Sequence, residues 1–395
     1  MARTIGTQVR GIRAPIVRDG DNLVETVVSS IMASVNSEGF QLKDKDVIGI
    51  TESLVARTQG NYITVDEIAA EIKKKFNDAE IGVVFPILSR NRFSMILKGI
   101  ARGARKVHLL LSYPADEVGN HLMDIDQMDE KGIIPYKDIL TEAEYRKLFG
   151  IVKHPFTGID YVQMYKDLAA NNNISVYLAN DPTVILKYTK NVLVADIHTR
   201  HRTKKLLKRA GAQLVYTLDE LCNEPISGNG YNPVYGLLGS NMAGDENLKL
   251  FPRNGQTYVD NIQARIKALT GKNVEVMIYG DGAFKDPVGK IWELADPVVS
   301  PAFTAGLAGT PNELKIKYFA DHQLKDLKGK ALADAMKSQI RGKGESLVGN
   351  IASQGTTPRQ LTDLLGSLCD LTSGSGDKGT PIVLIQGYFD NYATE

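Results

Sequence analysis

The sequence predicts an α/β protein of more than one domain, with a doubly wound parallel sheet over roughly residues 78–225. Two observations carry that expectation. Between those positions short apolar runs alternate with helix-length amphipathic stretches, the rhythm of a mostly parallel sheet covered on both faces. The chain also has 395 residues, more than one ordinary hydrophobic core serves.

Taken in order, Asp21 is placed to cap a helix starting at Asn22, in which Leu23, Val27, Ile31 and Val35 recur at helical spacing. A buried strand is expected at 47–51, then a polar connection from Glu52 to Tyr62. Thr64 and Glu67 form a capping box for the next helix. The alternation follows: strand 81–85, helix 93–104, strand 107–111, a helix begun by the Thr141/Glu144 capping box, helix 161–170 and strand 174–178. Strand 192–195, helix 203–210 with Gly211 as its stop, and strand 213–216 complete it. Residues 225–230 read as a linker. Beyond it, strands are expected at 274–278 and 382–385, an apolar stretch at 298–303, and a helix at 325–341. A further helix is expected to be capped by Thr357, with Pro358 at its first position. The stretch 373–380 reads as a flexible loop.

Composition narrows the function classes. Hydrophobic residues are 43% and charged residues 24%, which sets aside disordered and fibrous chains. A net charge of +1 gives no reason to expect a nucleic-acid partner. Cys222 and Cys369 are the two cysteines, without a CxxC pair, so neither a disulfide framework nor structural zinc is expected. Met1 to Gly6 contains no apolar signal core, and no apolar run approaches the ~20 residues that cross a bilayer. A cytoplasmic protein without a membrane partner is the expectation.

Four groups of residues are candidates for chemistry. The acidic turns Asn241 to Asn247 and Tyr279-Gly280-Asp281-Gly282 offer carboxylates of the kind that hard divalent cations take beside phosphates. Asp and Gly also make ordinary turns. The glycine-rich loop Ser373 to Thr380 can wrap an anion with successive backbone N–H groups, although it lacks the Walker A ending and reads equally as a surface loop. Ser89-Arg90-Asn91-Arg92 follows a strand and opens a helix, where α/β sheets collect anionic ligands. Asp181, His198, Arg200 and His201 follow other strands in the same way. His198 and His201 have metal-ligand spacing, or form a solvated basic turn. Glu52, Ser53 and Arg57 are a polar group after the first buried strand, and a helix start would explain them as well.

These residues together resemble a known family. Ala14-Pro15-Ile16-Val17 followed by Arg18-Asp19-Gly20-Asp21-Asn22-Leu23 resembles the opening of the γ-glutamyl ligase that elongates coenzyme F420, where a proline-rich turn precedes a Gly-Asp-Asp-Leu helix start. Asp46-Val47-Ile48 through Glu52, Ser53, Arg57 and Gly60 resembles its next strand, which contacts nucleotide. Asn241 through Asn247 is similar to its Asn-Ala-Gly-Ile-Asp-x-x-Asn motif. The run from Thr270 to Asp281 is similar to its strand ending in Asp-Thr, and Ser373 to Thr380 to its Gly-Glu-Gly-Gly-Asp-Gly-Ile-Pro segment. The resemblance covers roughly 1–78 and 228–395. It implies a discontinuous, ligase-like α+β domain over those residues, interrupted by the Rossmann-like domain at 79–227.

The resemblance also implies a homodimer that uses GTP (or ATP) and Mg2+ or Mn2+ to phosphorylate a carboxylate acceptor, which the amine of L-glutamate or a related amino acid then attacks. By position, Asp245 and Asp281 would hold metal. Pro15, Ile16, Glu52, Ser53, Arg57, Asn247, Gly374, Gly376 and Gly379 would line the nucleotide. Arg90 and Arg92 lie in the interrupting domain, outside the resemblance, and a separate reading has that domain bind a phosphorylated or carboxylated acceptor through them. Arg57 stands where the family has lysine, and Gly282 where it has threonine. Those departures leave an alternative, a nucleotide-binding regulatory or scaffold protein without ligase chemistry.

Overall fold

The computed structural model describes residues 4–228, 230–280, 300–353, 359–374 and 376–394, and the backbone alone at 284–285, 292–293 and 299. It is a mixed α/β fold with several sheets that contain both parallel and antiparallel strands.

The first sheet draws its strands from both ends of the chain, in the order Gln8–Ile12, Ile382–Gln386, Val47–Thr51, Glu275–Gly280 and Val299–Phe303. Val47–Thr51 and Glu275–Gly280 run parallel, and the other pairs are antiparallel. Period-2 alternation divides the side chains between two cores. Ile48, Ile50, Val276 and Ile278 face the helices Leu23–Glu38 and Gly255–Thr270. Val47 and Met277 face Leu365 and Cys369 of the helix Leu361–Thr372. Gly49 is required there, because a Cβ would lie 2.3 Å from Cys369 Sγ.

The second sheet has the order Leu140–Thr141, Ile174–Leu178, Lys106–Leu111, Glu80–Val84, Asn191–Val194 and Leu214–Thr217. All its pairs are parallel except the short edge at Leu140–Thr141. From Glu80–Val84 the chain builds outward through Lys106–Leu111 to Ile174–Leu178. It then crosses to Asn191–Val194 on the other side, so the winding reverses between these neighbours. Helices Val65–Phe76 and Phe93–Gly103 cover one face. They approach so closely that a Cβ on Gly103 would lie 2.5 Å from the Ala69 carbonyl oxygen. Residues of Arg200–Arg209 and Pro182–Lys187 cover the other. A small antiparallel sheet, Asn241–Met242, Asn247–Lys249 and Tyr62–Thr64, lies in the same fold.

Several local expectations are corrected. The first helix is capped by Asn22, whose side chain accepts from Glu25 N, while the Asp21 carboxylate accepts from Arg18 N instead. The stretch after Val47–Thr51 is not merely a polar connection: it holds the helix Glu52–Thr58 and the strand Tyr62–Thr64. The helix Gly255–Thr270 was not expected. The last long helix starts at Leu361 after Gln360, and Thr357 and Pro358 lie outside the described residues. Both cysteines are free and buried. Among the described residues no helix is long and apolar enough to cross a membrane.

Candidate active site

Parallel pairing sets Thr51 opposite Tyr279, so Gly280 follows at the same carboxyl end of the first sheet. Thr51 ends its strand and caps the helix Glu52–Thr58 by accepting from Leu54 N at 3.3 Å. This fixes Glu52 as the first helical residue, beside Gly280. A Cβ on Gly280 would lie 2.8 Å from Glu52 Cγ, so the strand end needs glycine to let the glutamate pass. Lys249, carried in by the strand Asn247–Lys249, donates to Glu52 Oε1 at 3.2 Å. Both side chains are largely withdrawn from water, with 10% and 15% exposed. Glu52 Oε2 has no hydrogen-bond partner among the described residues. Burial pushes the Glu52 carboxyl above its ordinary pKa, and the charges of Lys249 and Arg92 pull it back.

The influence of Arg92 on Glu52 is informative because Arg92 belongs to the other sheet. It ends the turn after Glu80–Val84, with Arg92 N donating to Ser89 Oγ at 3.0 Å before the helix Phe93–Gly103. The carboxyl ends of both sheets meet near Glu52, because Arg92 and Gly280, the latter against Glu52, line one cavity. Between them lies a cavity of about 240 Å³. Ser89 and Arg92 come from the turn after Glu80–Val84, Ile197 from the turn after Asn191–Val194, and Ser240, Phe251 and Gly280 from the other side. The cavity thus sits at the winding reversal of the parallel sheet, the position where open α/β sheets bind ligands.

Two carboxylates hold its rim. Asp116 accepts from Leu88 N at 2.7 Å, and Glu117 accepts from Ile197 N at 2.5 Å and His198 N at 3.1 Å. Burial raises the pKa of each, and these backbone hydrogen bonds oppose the rise. Arg200 lines the cavity while its guanidinium is committed to Asp219 at 3.1 Å and to Ile197 O at 2.7 Å.

The other candidate residues fall as follows. Gly374 and Thr380 bridge across the glycine-rich loop. Gly379 O accepts from Ala14 N at 3.2 Å, and Pro381 O from Thr51 N at 3.0 Å. Those bonds gather Gly374, Gly376 and Gly379, the turn of Pro15 and Ile16, and the helix start of Glu52 and Ser53 on one rim. Ile16 is 88% exposed. Arg57, also exposed, joins the same turn by donating from Nη2 to Val17 O at 3.2 Å.

Asp245 and Asn247 are exposed on the hairpin whose second strand brings in Lys249. The hairpin is tied down by Lys98, which donates to Asp245 O at 3.0 Å and to Glu246 at 2.6 Å, and by Arg102 at 2.7 Å from Glu246. Asn247 and Lys249 share a strand face, about 7 Å apart along the chain. Asp281 lies outside the described residues, immediately after Gly280. Arg90 is exposed and does not line the cavity, in contrast to Arg92. Asp181 caps the turn at Pro182–Lys187 through Thr183. Among the described residues no group of three or more His, Cys, Asp or Glu is placed to hold a metal, so His198 and His201 do not form such a centre there. The observation that fits a cation is the buried, unpaired Glu52 oxygen adjoining the strand end that leads to Asp281.

Sequence reasoning did not single out Lys249, Ser240 or Phe251. A lysine on a short hairpin strand reads as a solvated residue, and only the pairing with Tyr62–Thr64 turns it inward. No curated protein matches the chain. The family described as F420-0:Gamma-glutamyl ligase matches it over residues 11–387, nearly its whole length, and the chain belongs to that family.

Proposed function

We propose that this ligase uses GTP or ATP, with Mg2+ or Mn2+, to join L-glutamate or a related amino acid to a carboxylate acceptor through an acyl phosphate. The observation that carries the reading is the convergence of both sheet edges on Glu52, with an unpaired buried oxygen flanked by Lys249 and Gly280. Nucleotide contacts would come from Pro15, Ile16, Glu52, Ser53, Arg57 and Asn247, with the backbone of Gly374, Gly376 and Gly379. Metal would be held by Asp245 and Asp281, and when bound it neutralises phosphate charge as the phosphoryl group moves.

The chain's own residues supply the rest. Lys249 and Arg92 place positive charge where negative charge accumulates on the transferring group, inside a site partly closed to water. The acceptor carboxylate oxygen bonds to the γ-phosphorus and the nucleoside diphosphate leaves. The amine nitrogen then bonds to the acyl carbon, expelling inorganic phosphate and giving up one proton. Asp245→Ala and Asp281→Ala are each expected to abolish metal-dependent phosphate release from nucleotide while the circular dichroism spectrum is unchanged. Full activity in both variants would overturn the assignment.

A further inference from the structure

The cavity between the sheet edges is unlike a nucleotide site, although it occupies the place where related windings bind one. Dinucleotide sites use a glycine-rich first turn to bring the backbone against the pyrophosphate, and an acid near the end of the second strand to hold the ribose. Here residues 85–92 contain no glycine. The acid after Lys106–Leu111 is Asp116, whose two oxygens are spent on Leu88 N, Val118 N and Asn120. The walls are instead apolar, with Ile87, Phe93, Ile197, Tyr235, Leu238 and Phe251 among them.

Polar groups are confined to a few points. Ser240 is 1% exposed, lines the cavity, and its hydroxyl has no partner among the described residues. A buried hydroxyl in that condition is uncommon, and a ligand oxygen would satisfy it. Met242 N donates to Asn91 O at 2.7 Å, which keeps the segment carrying Ser240 against the turn carrying Arg92. Gly280 also lines the cavity, which joins this polar end to Glu52.

We propose that the cavity takes the apolar body of the ligase's acceptor, with the acceptor carboxylate at Arg92 and Ser240, next to Glu52. The proposal rests on the ligase reading above and narrows the acceptor to carboxylates with a hydrophobic or aromatic body. Apolar walls with a few convergent polar groups are the usual construction of such a site.

The test is isothermal titration of the full chain with phenylpropionate and with phenylpropionamide, which shares the body and lacks the charge. Wild type is expected to bind the carboxylate at least roughly tenfold more tightly than the amide, the discrimination that one charged hydrogen-bonding partner supplies. Arg92→Gln is expected to erase that preference, and Ser240→Ala to weaken the carboxylate. Ile197→Trp fills the mouth and is expected to remove both ligands. Ile87→Trp on another wall serves the same purpose if the first variant does not fold. Equal binding of acid and amide by wild type, undiminished binding in a folded tryptophan variant, or no binding of phenylpropionate overturns the proposal. The metal-dependent effect of nucleotide on melting, read on the same variants, separates the two levels. If it persists when the cavity is blocked, failure of the cavity proposal leaves the ligase reading intact.

Discussion

Replacing Lys249 by methionine removes a charge and keeps an apolar stem of similar length, so it isolates what the cation does for Glu52. The pair is 3.2 Å apart with side chains 10% and 15% exposed, so it belongs with buried rather than surface ion pairs. Stranding one partner of a buried pair costs about 3–5 kcal/mol. A carboxylate has an escape, because it can fold as the neutral acid. The cost of that route at pH 7 is set by the distance to the ordinary glutamate value, about 1.36 kcal/mol for each of ~2.7 pH units, or about 3.7 kcal/mol. Burial already raises the Glu52 pKa in the wild type, so part of this cost is present before the substitution and 3.7 is a ceiling.

The pH dependence has a definite sign. A carboxyl whose folded pKa lies above its unfolded value contributes stability fully below the unfolded pKa, and loses it as pH rises through the folded one. Lys249→Met raises the folded value further. Its stability deficit is therefore expected to stay below that ceiling at pH 7 and to shrink to less than about 1 kcal/mol at pH 5. Urea unfolding of both proteins, followed by circular dichroism at the two pH values, measures the difference. In the double variant with Glu52→Gln, the pH dependence should disappear. A deficit that is the same at both pH values, or larger at pH 5, would refute the buried pair as the cause.

Two further substitutions test how the site is supported. Asn61 is fully buried and joins three segments, donating to Phe251 O at 2.7 Å and accepting from Tyr231 N and Arg253 Nη1 at 3.1 Å each. Asn61→Ala removes the acceptor of Tyr231 N and one of the two amide donors at Phe251 O, where Asn232 Nδ2 remains at 3.0 Å, and is expected to cost roughly 1–3 kcal/mol in the same urea assay, with a change below about 0.5 counting against it. Gly49→Ala places a methyl against Cys369 Sγ and is expected to cost about 1–3 kcal/mol. Combining it with Cys369→Ala should recover much of that loss, and simple additivity of the two penalties would contradict the contact.

Much of the fold was legible because local signals and tertiary packing agree. The capping boxes at Thr64/Glu67 and Thr141/Glu144 are both formed, and the helices they open follow. The mostly apolar runs near 81–85, 107–111, 174–178 and 192–195 are strands within a residue at each end, because short runs dominated by apolar residues suit a sheet covered on both faces. The helix Gly255–Thr270 escaped notice because its N-cap Asn254 is in the left-handed region and makes no side-chain cap. The stripe of Val259, Ile262 and Ile266 was its remaining signal. The strand Gln8–Ile12 was equally hidden: it is half-buried and exists through pairing with Ile382–Gln386, at the other end of the sequence.

For the site, strand ends and turns pointed to Glu52 and Arg92 as polar groups, but nothing local says that they act on each other. That information lies in the meeting of two sheets. Lys249 and Ser240 acquire their roles only from the same long-range arrangement.

The most direct measurement is the melting temperature of the purified protein with GTP, GDP and ATP, each with and without Mn2+ or Mg2+. A ligand that binds the native state alone stabilises it by mass action, about 2.7 kcal/mol at a hundred times its dissociation constant. The expected result is a rise that requires nucleotide and metal together, and that is lost in Asp281→Ala. No rise with any combination would contradict a nucleotide-dependent ligase site at the meeting of the two sheets.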